Sequence, residues 1–313
     1  MSTAPEVVAV VGATATGKSD LALDLAEALG GEVVNADAMQ LYRGMDIGTN
    51  KVPVAQRRGV AHHLLDVLEV TDEATLADFQ ARAEAAIVDI RARGRIPVLA
   101  GGSGLYVRAA LDHLEIPPTD PAVRARLEAE ATGEGGVAAL RARLRSADPV
   151  AAEAIEANNI RRIVRALEVV EITGRPFSAT APTKRYRRPS VVIGLHDDRA
   201  ALDVRIERRA RRMWADGLLD EVAALDALGL RRGRTASRAI GYAQALAELD
   251  GRIGREEAIA QTAQATRRYA RRQESWLRPD HRVEWLEATA GGLVEAATDL
   301  ARRPTQDPSE WTP

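Results

Sequence analysis

The chain of 313 residues contains no cysteine, which excludes disulfides, thiol nucleophiles and cysteine-based zinc sites. The five histidines show no zinc-binding spacing, and the adjacent His62 and His63 cannot share a helix face. No apolar run reaches membrane-spanning length and no secretory signal pattern opens the chain, so a cytoplasmic protein without a membrane partner is expected. Lysine is nearly missing: Lys18, Lys51 and Lys184 are the only three. The cations are therefore arginines, and the net charge of -2 conceals their clustering. The blocks 184–188 and 267–272 each hold several arginines around a tyrosine. Such local patches on a near-neutral protein suit nucleic acid, or a plain solvated helix face. No heptad or exposed apolar stripe demands a partner, so a monomer is expected.

What is present begins with Gly12-Ala13-Thr14-Ala15-Thr16-Gly17-Lys18-Ser19. The apolar run 7–11 precedes it, and an apolar-periodic segment from Leu21 to Leu29 follows. Strand, glycine loop and helix are the context in which GxxxxGK[ST] cradles phosphate. The curled backbone aims its N–H groups inward, and the helix start adds its positive end. Lys18 supplies a mobile cation, and the Ser19 hydroxyl is placed to ligate Mg²⁺. The loop announces a diphosphate or triphosphate without saying whose.

Further strands are read at 32–35, 96–100, 190–195 and 283–286. Helices are read at 71–93 and 105–111, and from 203 to about 275 with a break at 230–235. Between the two prolines at 117–118 and the strand at 190 the pattern is helical throughout, broken at 133–136. Residues 178–189 read as a linker. The expected fold is therefore α/β: a P-loop NTPase-like core with a parallel sheet, made of 1–118 and 190–313, and an inserted all-helical domain at 119–189. The tail after Arg303 reads as disordered.

A second absence bears on chemistry. A motor or GTPase carries a metal-holding acid at the end of an apolar strand. The strand 98–100 ends instead in Gly-Gly-Ser-Gly, and no base-reading NKxD motif occurs. The remaining acid is Asp37, at the end of the strand 32–35. A loop cradle, a metal hydroxyl and one carboxylate base fit two reactions. One is phosphoryl transfer to a small molecule, with ATP as donor; the other is displacement of a whole diphosphate from carbon.

The residues around Asp37 separate these. Asn35 to Thr49 (NADAMQLYRGMDIGT) resembles the signature of bacterial tRNA dimethylallyltransferases. The resemblance extends through His62 to Asp66, Gly101 to Tyr106, Arg162 to Val169, Ala239 to Tyr242 and Ala265 to Gln273. It implies that the loop holds the diphosphate of dimethylallyl diphosphate. The N6 amine of adenosine 37, flipped from the anticodon loop of tRNA, would attack the allylic carbon. Asp37 would take the amine proton, while Lys18, Ser19 with Mg²⁺, and Arg209 would stabilise the leaving diphosphate. Ser103 would stand near the target base. Contacts to tRNA are implied for Asp37, Ala38, Met39 and Gln40; for Arg124; for Arg161, Arg162, Ile163, Val164 and Arg165; and for Arg238, Ala239, Ile240, Gly241 and Tyr242. The chain departs from the family pattern at Ala13, commonly proline, at Ala38, often serine, and at Ser103, commonly threonine. None of these removes the base, the lysine or the metal hydroxyl.

Overall fold

The computed structural model describes residues 4–180 and 184–305. The tail expected to be disordered lies, apart from its first two residues, outside them. The chain divides into two units. The core takes the chain up to Leu111 and from Tyr186 onward; the inserted unit is Asp112–Arg185.

The core carries one six-stranded sheet, made of β1 (Val7–Gly12), β2 (Glu32–Asn35), β3 (His62–His63), β4 (Pro97–Gly101), β5 (Ser190–His196) and β6 (Val283–Glu287). Its order is β3-β2-β4-β1-β5-β6, and every pairing is parallel. A parallel sheet needs cover on both faces, which explains the uninterrupted apolar run of β1, buried at every position. Val8 and Val10 face α1 (Lys18–Leu29) and the late helix α12 (Leu293–Arg302), where they meet Leu21, Leu25 and Leu300. Strand alternation turns Val7, Ala9 and Val11 to the other face. There α2 (Leu76–Ala92), α3 (Gly104–Leu111) and the long α11 (Arg255–Leu277) cover the sheet. Each fully buried valine contributes roughly 1.5–3 kcal/mol.

Three element boundaries differ from expectation. Helix α2 starts at Leu76 rather than Thr71, because Thr75 accepts the Asp78 N–H and caps it there. Residues 71–74 are turned aside instead: the Tyr42 hydroxyl donates to the Asp72 carbonyl and accepts from Ala74 N–H. The inserted unit lies a few residues earlier than 119–189. Pro117 and Pro118 belong to it, since both carbonyls accept from Arg165. At its end, Tyr186 is buried in the core with the Arg282 guanidinium 4.1 Å above its ring, and Arg188 is paired with Glu84. The basic block at 184–188 is thus partly consumed as core structure. Helix α12 follows a loop that carries no pattern read above.

The rest of the core is helical: α8 (Arg199–Ala215), α9 (Leu218–Ala227) and α10 (Tyr242–Leu249) precede α11. The inserted unit contains α4 (Pro121–Thr132), α5 (Gly136–Ala147), α6 (Pro149–Ala154) and α7 (Ile160–Thr173) around Leu127, Leu140, Leu144, Ile163 and Leu167. Among the described residues no helix is long and apolar enough to cross a membrane.

Candidate active site

Because all six strands run the same way, their C-terminal ends share one edge, where a ligand binds in such sheets. The phosphate loop leaves β1 there, Asp37 follows β2, Gly101 and Gly102 end β4, and Asp197 follows β5. These residues, with Lys18, Ser19, Asp46, Thr49, Lys51, Arg205, Arg208 and Arg209, line a cleft of about 1040 Å³.

The loop is built by its own side chains and by two distant helices. Gly17 enters α1 with φ +86°, which a side chain rarely adopts. Thr16 Oγ1 and Lys18 Nζ both donate to the Ala13 carbonyl, at 2.8 and 2.6 Å. Gln273 of α11 accepts the Thr14 N–H at 2.8 Å. Arg205 of α8 donates to the Ala15 carbonyl, fixing a residue whose φ is +66°, and its other end is paired with Asp197. Neither Gln273 nor the Arg205–Asp197 pair was singled out by the sequence. Their signal is tertiary, since they lie some 190 to 260 positions from the atoms they hold.

Asp37 is held by a brace on its backbone. Asn35 accepts the Asp37 N–H at 2.9 Å and donates to its carbonyl at 3.0 Å, and donates also to Leu64. Oδ1 of Asp37 accepts the Met39 N–H at 2.9 Å and so caps the short 3₁₀ turn Ala38–Leu41. The carboxylate faces two cations. Burial lowers the Lys18 ammonium to about 8, against the upward pull of Asp37 and with a further downward push from Arg209. Burial likewise lowers Arg209, again opposed by Asp37. Arg209 donates to Thr14 Oγ1 at 3.2 Å and to the Thr49 carbonyl at 3.4 Å, while its buried Nε has no partner among the described residues. An unsatisfied buried guanidinium N–H beside a half-buried ammonium is a site short of an anion. Burial also raises the hydroxyls of Tyr106 and Tyr269, and Asp37 adds to both shifts, so the two phenols beside the acid stay protonated at neutral pH.

The opposite rim is the segment 42–53. Lys51, buried, donates to the Tyr42 carbonyl, Asp46 and Asp66 at 3.0, 2.5 and 2.6 Å. Glu221 of α9 accepts the N–H groups of Asp46 and Ile47, at 3.1 and 2.8 Å, and the Tyr242 hydroxyl at 2.5 Å. Gly48 is required here, because a Cβ would lie 2.3 Å from the Tyr242 ring.

The remaining candidates are spread. Ala38, Met39 and Gln40 are half-buried in the turn after Asp37, and Gln40 donates to the Thr49 carbonyl. Ser103 lies just past the cleft-lining Gly102, and its carbonyl starts α3 by accepting Val107 N–H. Arg238 is exposed, Ile240 half-buried, and Ala239, Gly241 and Tyr242 buried. Tyr242 therefore reaches the cleft through Glu221 rather than presenting its own surface. In the inserted unit Arg161 and Arg162 are exposed. Ile163 and Val164 are core residues whose side chains are not available to a ligand. Arg124 and Arg165 both clasp the fully buried Glu168 carboxylate, each with a closest distance of 2.8 Å. His63 is tied to Glu32 at 2.6 Å and His62 to the Val60 carbonyl, which are structural tasks.

Against this geometry, comparison with known proteins is decisive. A family model described as IPP transferase matches residues 40–280. The chain belongs to the IPP transferase family. Two relatives are named tRNA dimethylallyltransferase. One, from Thermobifida fusca, is 60% identical over 94% of this chain and 93% of its own. The other, from Salinispora arenicola, is 58% identical over 95% and 86%. Among solved structures, the full-length tRNA isopentenylpyrophosphate transferase of Bacillus halodurans is 40% identical, covers 94% of both chains and has a TM-score of 0.67. A eukaryotic dimethylallyltransferase acting on tRNA is 28% identical over 90% of this chain and 74% of its own, with a TM-score of 0.79. This IPP transferase is an enzyme of that kind, and none of these relatives favours the kinase alternative.

Proposed function

We propose that the cleft carries out dimethylallyl transfer to N6 of adenosine 37 in tRNA, with these residues in these roles. The observation that supports it is the pairing of one acid with an anion-hungry pair of cations: Asp37 faces Lys18 and Arg209 across a single cleft. The loop amides, Lys18 and Arg209 take the diphosphate of dimethylallyl diphosphate. Asp37 orients the exocyclic amine of the adenine and accepts its proton as the N–C bond forms and the allylic C–O bond breaks. The electron pair of that C–O bond leaves on the diphosphate, where the cations stabilise it. Ser103, Gln40, Arg238 and the exposed Arg161 and Arg162 contact the RNA.

Among the described residues no three His, Cys, Asp or Glu side chains gather to hold a metal. The Ser19 hydroxyl lining the cleft suits Mg²⁺, which takes few protein ligands and completes its shell with phosphate oxygens and water. Bound there, it would neutralise charge on the diphosphate. The protein works in the cytoplasm, as a monomer.

Labelled dimethylallyl diphosphate, incubated with the chain, Mg²⁺ and tRNA, is expected to pass its label into the RNA at adenosine 37. Transfer of label only from the γ-phosphate of ATP would refute the reading. A pH effect accompanies it. Below about pH 8 Lys18 is charged before the ligand arrives; above it, binding must recruit a proton. The Kd for inorganic diphosphate is therefore expected to weaken about tenfold per pH unit above 8. Calorimetry at pH 8.5 in buffers of different ionisation enthalpy should register uptake of up to one proton. Lys18→Arg should remove both effects.

A further inference from the structure

The rim segment 45–50 belongs to neither helix nor strand, yet Asp46, Ile47, Thr49 and Asn50 line the cleft. Its backbone N–H groups have no ladder to join and need partners from elsewhere. Three successive ones, of Asp46, Ile47 and Gly48, donate to a single side chain, the Glu221 carboxylate in the first turn of α9, at 3.1, 2.8 and 3.4 Å. Glu221 also accepts the Tyr242 hydroxyl at 2.5 Å, and no cation pairs with it among the described residues. Converging amides of this kind form an anion nest. Here the protein fills the nest with its own carboxylate, from about 175 positions away.

The same segment ends on an acceptor that both halves of the site share. Thr49 Oγ1 donates back to the Met45 carbonyl at 2.6 Å and closes the turn. The Thr49 carbonyl accepts from Gln40 at 3.1 Å and from Arg209 at 3.4 Å. Gln40 lies in the turn that Asp37 caps. Arg209 makes one other hydrogen bond among the described residues, to Thr14 Oγ1, and its Nε is unpaired. One backbone carbonyl therefore aims the guanidinium. The peptides leading to that carbonyl are pinned from behind, by Glu221 on their amides and by the fully buried Tyr242 ring against Gly48.

We infer that Glu221 is a positioning residue for the leaving group: it fixes the 46–49 rim so that the Thr49 carbonyl turns Arg209 towards the diphosphate. A carboxylate suits the task better than a neutral side chain. It offers enough lone pairs for four donors, and bonds to a charged acceptor are stronger and shorter than neutral ones. The inference rests on the transferase reading above, in which Arg209 takes the diphosphate, and adds to it the group that aims Arg209.

The test is calorimetric binding of inorganic diphosphate with Mg²⁺ present, run as a double-mutant cycle between Glu221 and Arg209. Glu221→Ala is expected to weaken Kd roughly tenfold, as loss of one hydrogen bond from a charged donor does. Glu221→Gln keeps one of the two accepting oxygens and should fall between alanine and wild type. Lys51 still ties Asp46 to Asp66 in both variants, so the rim should loosen rather than unfold and the thermal midpoint of the Gln variant should stay near wild type. Single-turnover transfer should drop further than affinity, by up to roughly 10²-fold, because the misaimed cation meets a growing charge. In an Arg209→Ala background the Glu221 substitutions should leave the diphosphate Kd unchanged, a result that general damage to the cleft would not give. Equal losses with and without Arg209 overturn the inference, and so does wild-type affinity in Glu221→Ala. A Glu221→Gln variant that unfolds marks the carboxylate as a fold support and overturns it as well. If the wild-type chain fails to bind diphosphate, the transferase reading itself falls.

Discussion

Asp37→Asn is expected to lower single-turnover transfer by roughly 10²–10⁴ while leaving binding of diphosphate and RNA nearly unchanged. The substitution separates two tasks that Asp37 performs together. Its Oδ1 caps the 38–41 turn by accepting from Met39, and an asparagine oxygen does the same. The Asn35 brace grips the backbone of residue 37 and is indifferent to its side chain. The turn should therefore survive, and only the ability to accept a proton is lost. Removing the charge also removes the pull that holds Lys18 up, so the comparison belongs well below pH 8 and is run at two pH values, to separate loss of the base from loss of charge on Lys18. Rapid-quench measurement of label transfer decides. If Asp37→Asn turns over like wild type, Asp37 is a cap and no more, and the base lies elsewhere.

The second large effect lies in the inserted unit. Glu168→Ala is expected to destabilise that unit by about 3–5 kcal/mol, because it removes one partner of a buried ionic cluster and strands the others. Glu168 is 0% exposed and accepts from Arg124, Arg165 and the Asp120 N–H. Burial alone would raise its pKa, but the two arginines and the Asp120 amide hold it below the ordinary 4.5. Its contribution is therefore full above about pH 4.5 and lost as the pH falls below it. Glu168→Gln should abolish that acid sensitivity and cost less than alanine. Hydrogen exchange in α4 and α7 of the full chain, compared at pH 7 and pH 4, measures both. A loss below about 1 kcal/mol for Glu168→Ala would mean the cluster is dispensable. It would also free Arg124 and Arg165 as RNA ligands without a structural duty.

These two sites differ in how far the chain announces them. Asp37 is visible in sequence because it ends a short apolar strand, and in a parallel sheet every strand end points to the same edge. Local pattern suffices there: β1, β2, β4 and β5 were all placed from apolar runs, and the phosphate loop from its glycines. Glu168 is not visible. It sits in the middle of an Arg- and Ala-rich helical pattern, where a glutamate reads as one more exposed charge. Only packing of α7 against α4 and the 117–118 turn buries it. The same limit explains Ile163 and Val164, which resemblance placed among RNA contacts and packing places in the core. Tyr242 lies in such a block too, yet its ring fills the space that Gly48 leaves.

By itself, then, the sequence determined the phosphate loop, the parallel α/β core, the helical insertion and the acid, because each rests on spacing along a few neighbouring residues. The tertiary structure alone decided which arginines are free. Arg205 and Arg124 are spent on buried carboxylates and Arg188 on the half-buried Glu84, Arg209 keeps an unsatisfied N–H in the cleft, and Arg268 and Arg272 have no carboxylate partner among the described residues. Charge is a local property of a residue, but whether it is neutralised depends on what the fold brings within about 4 Å.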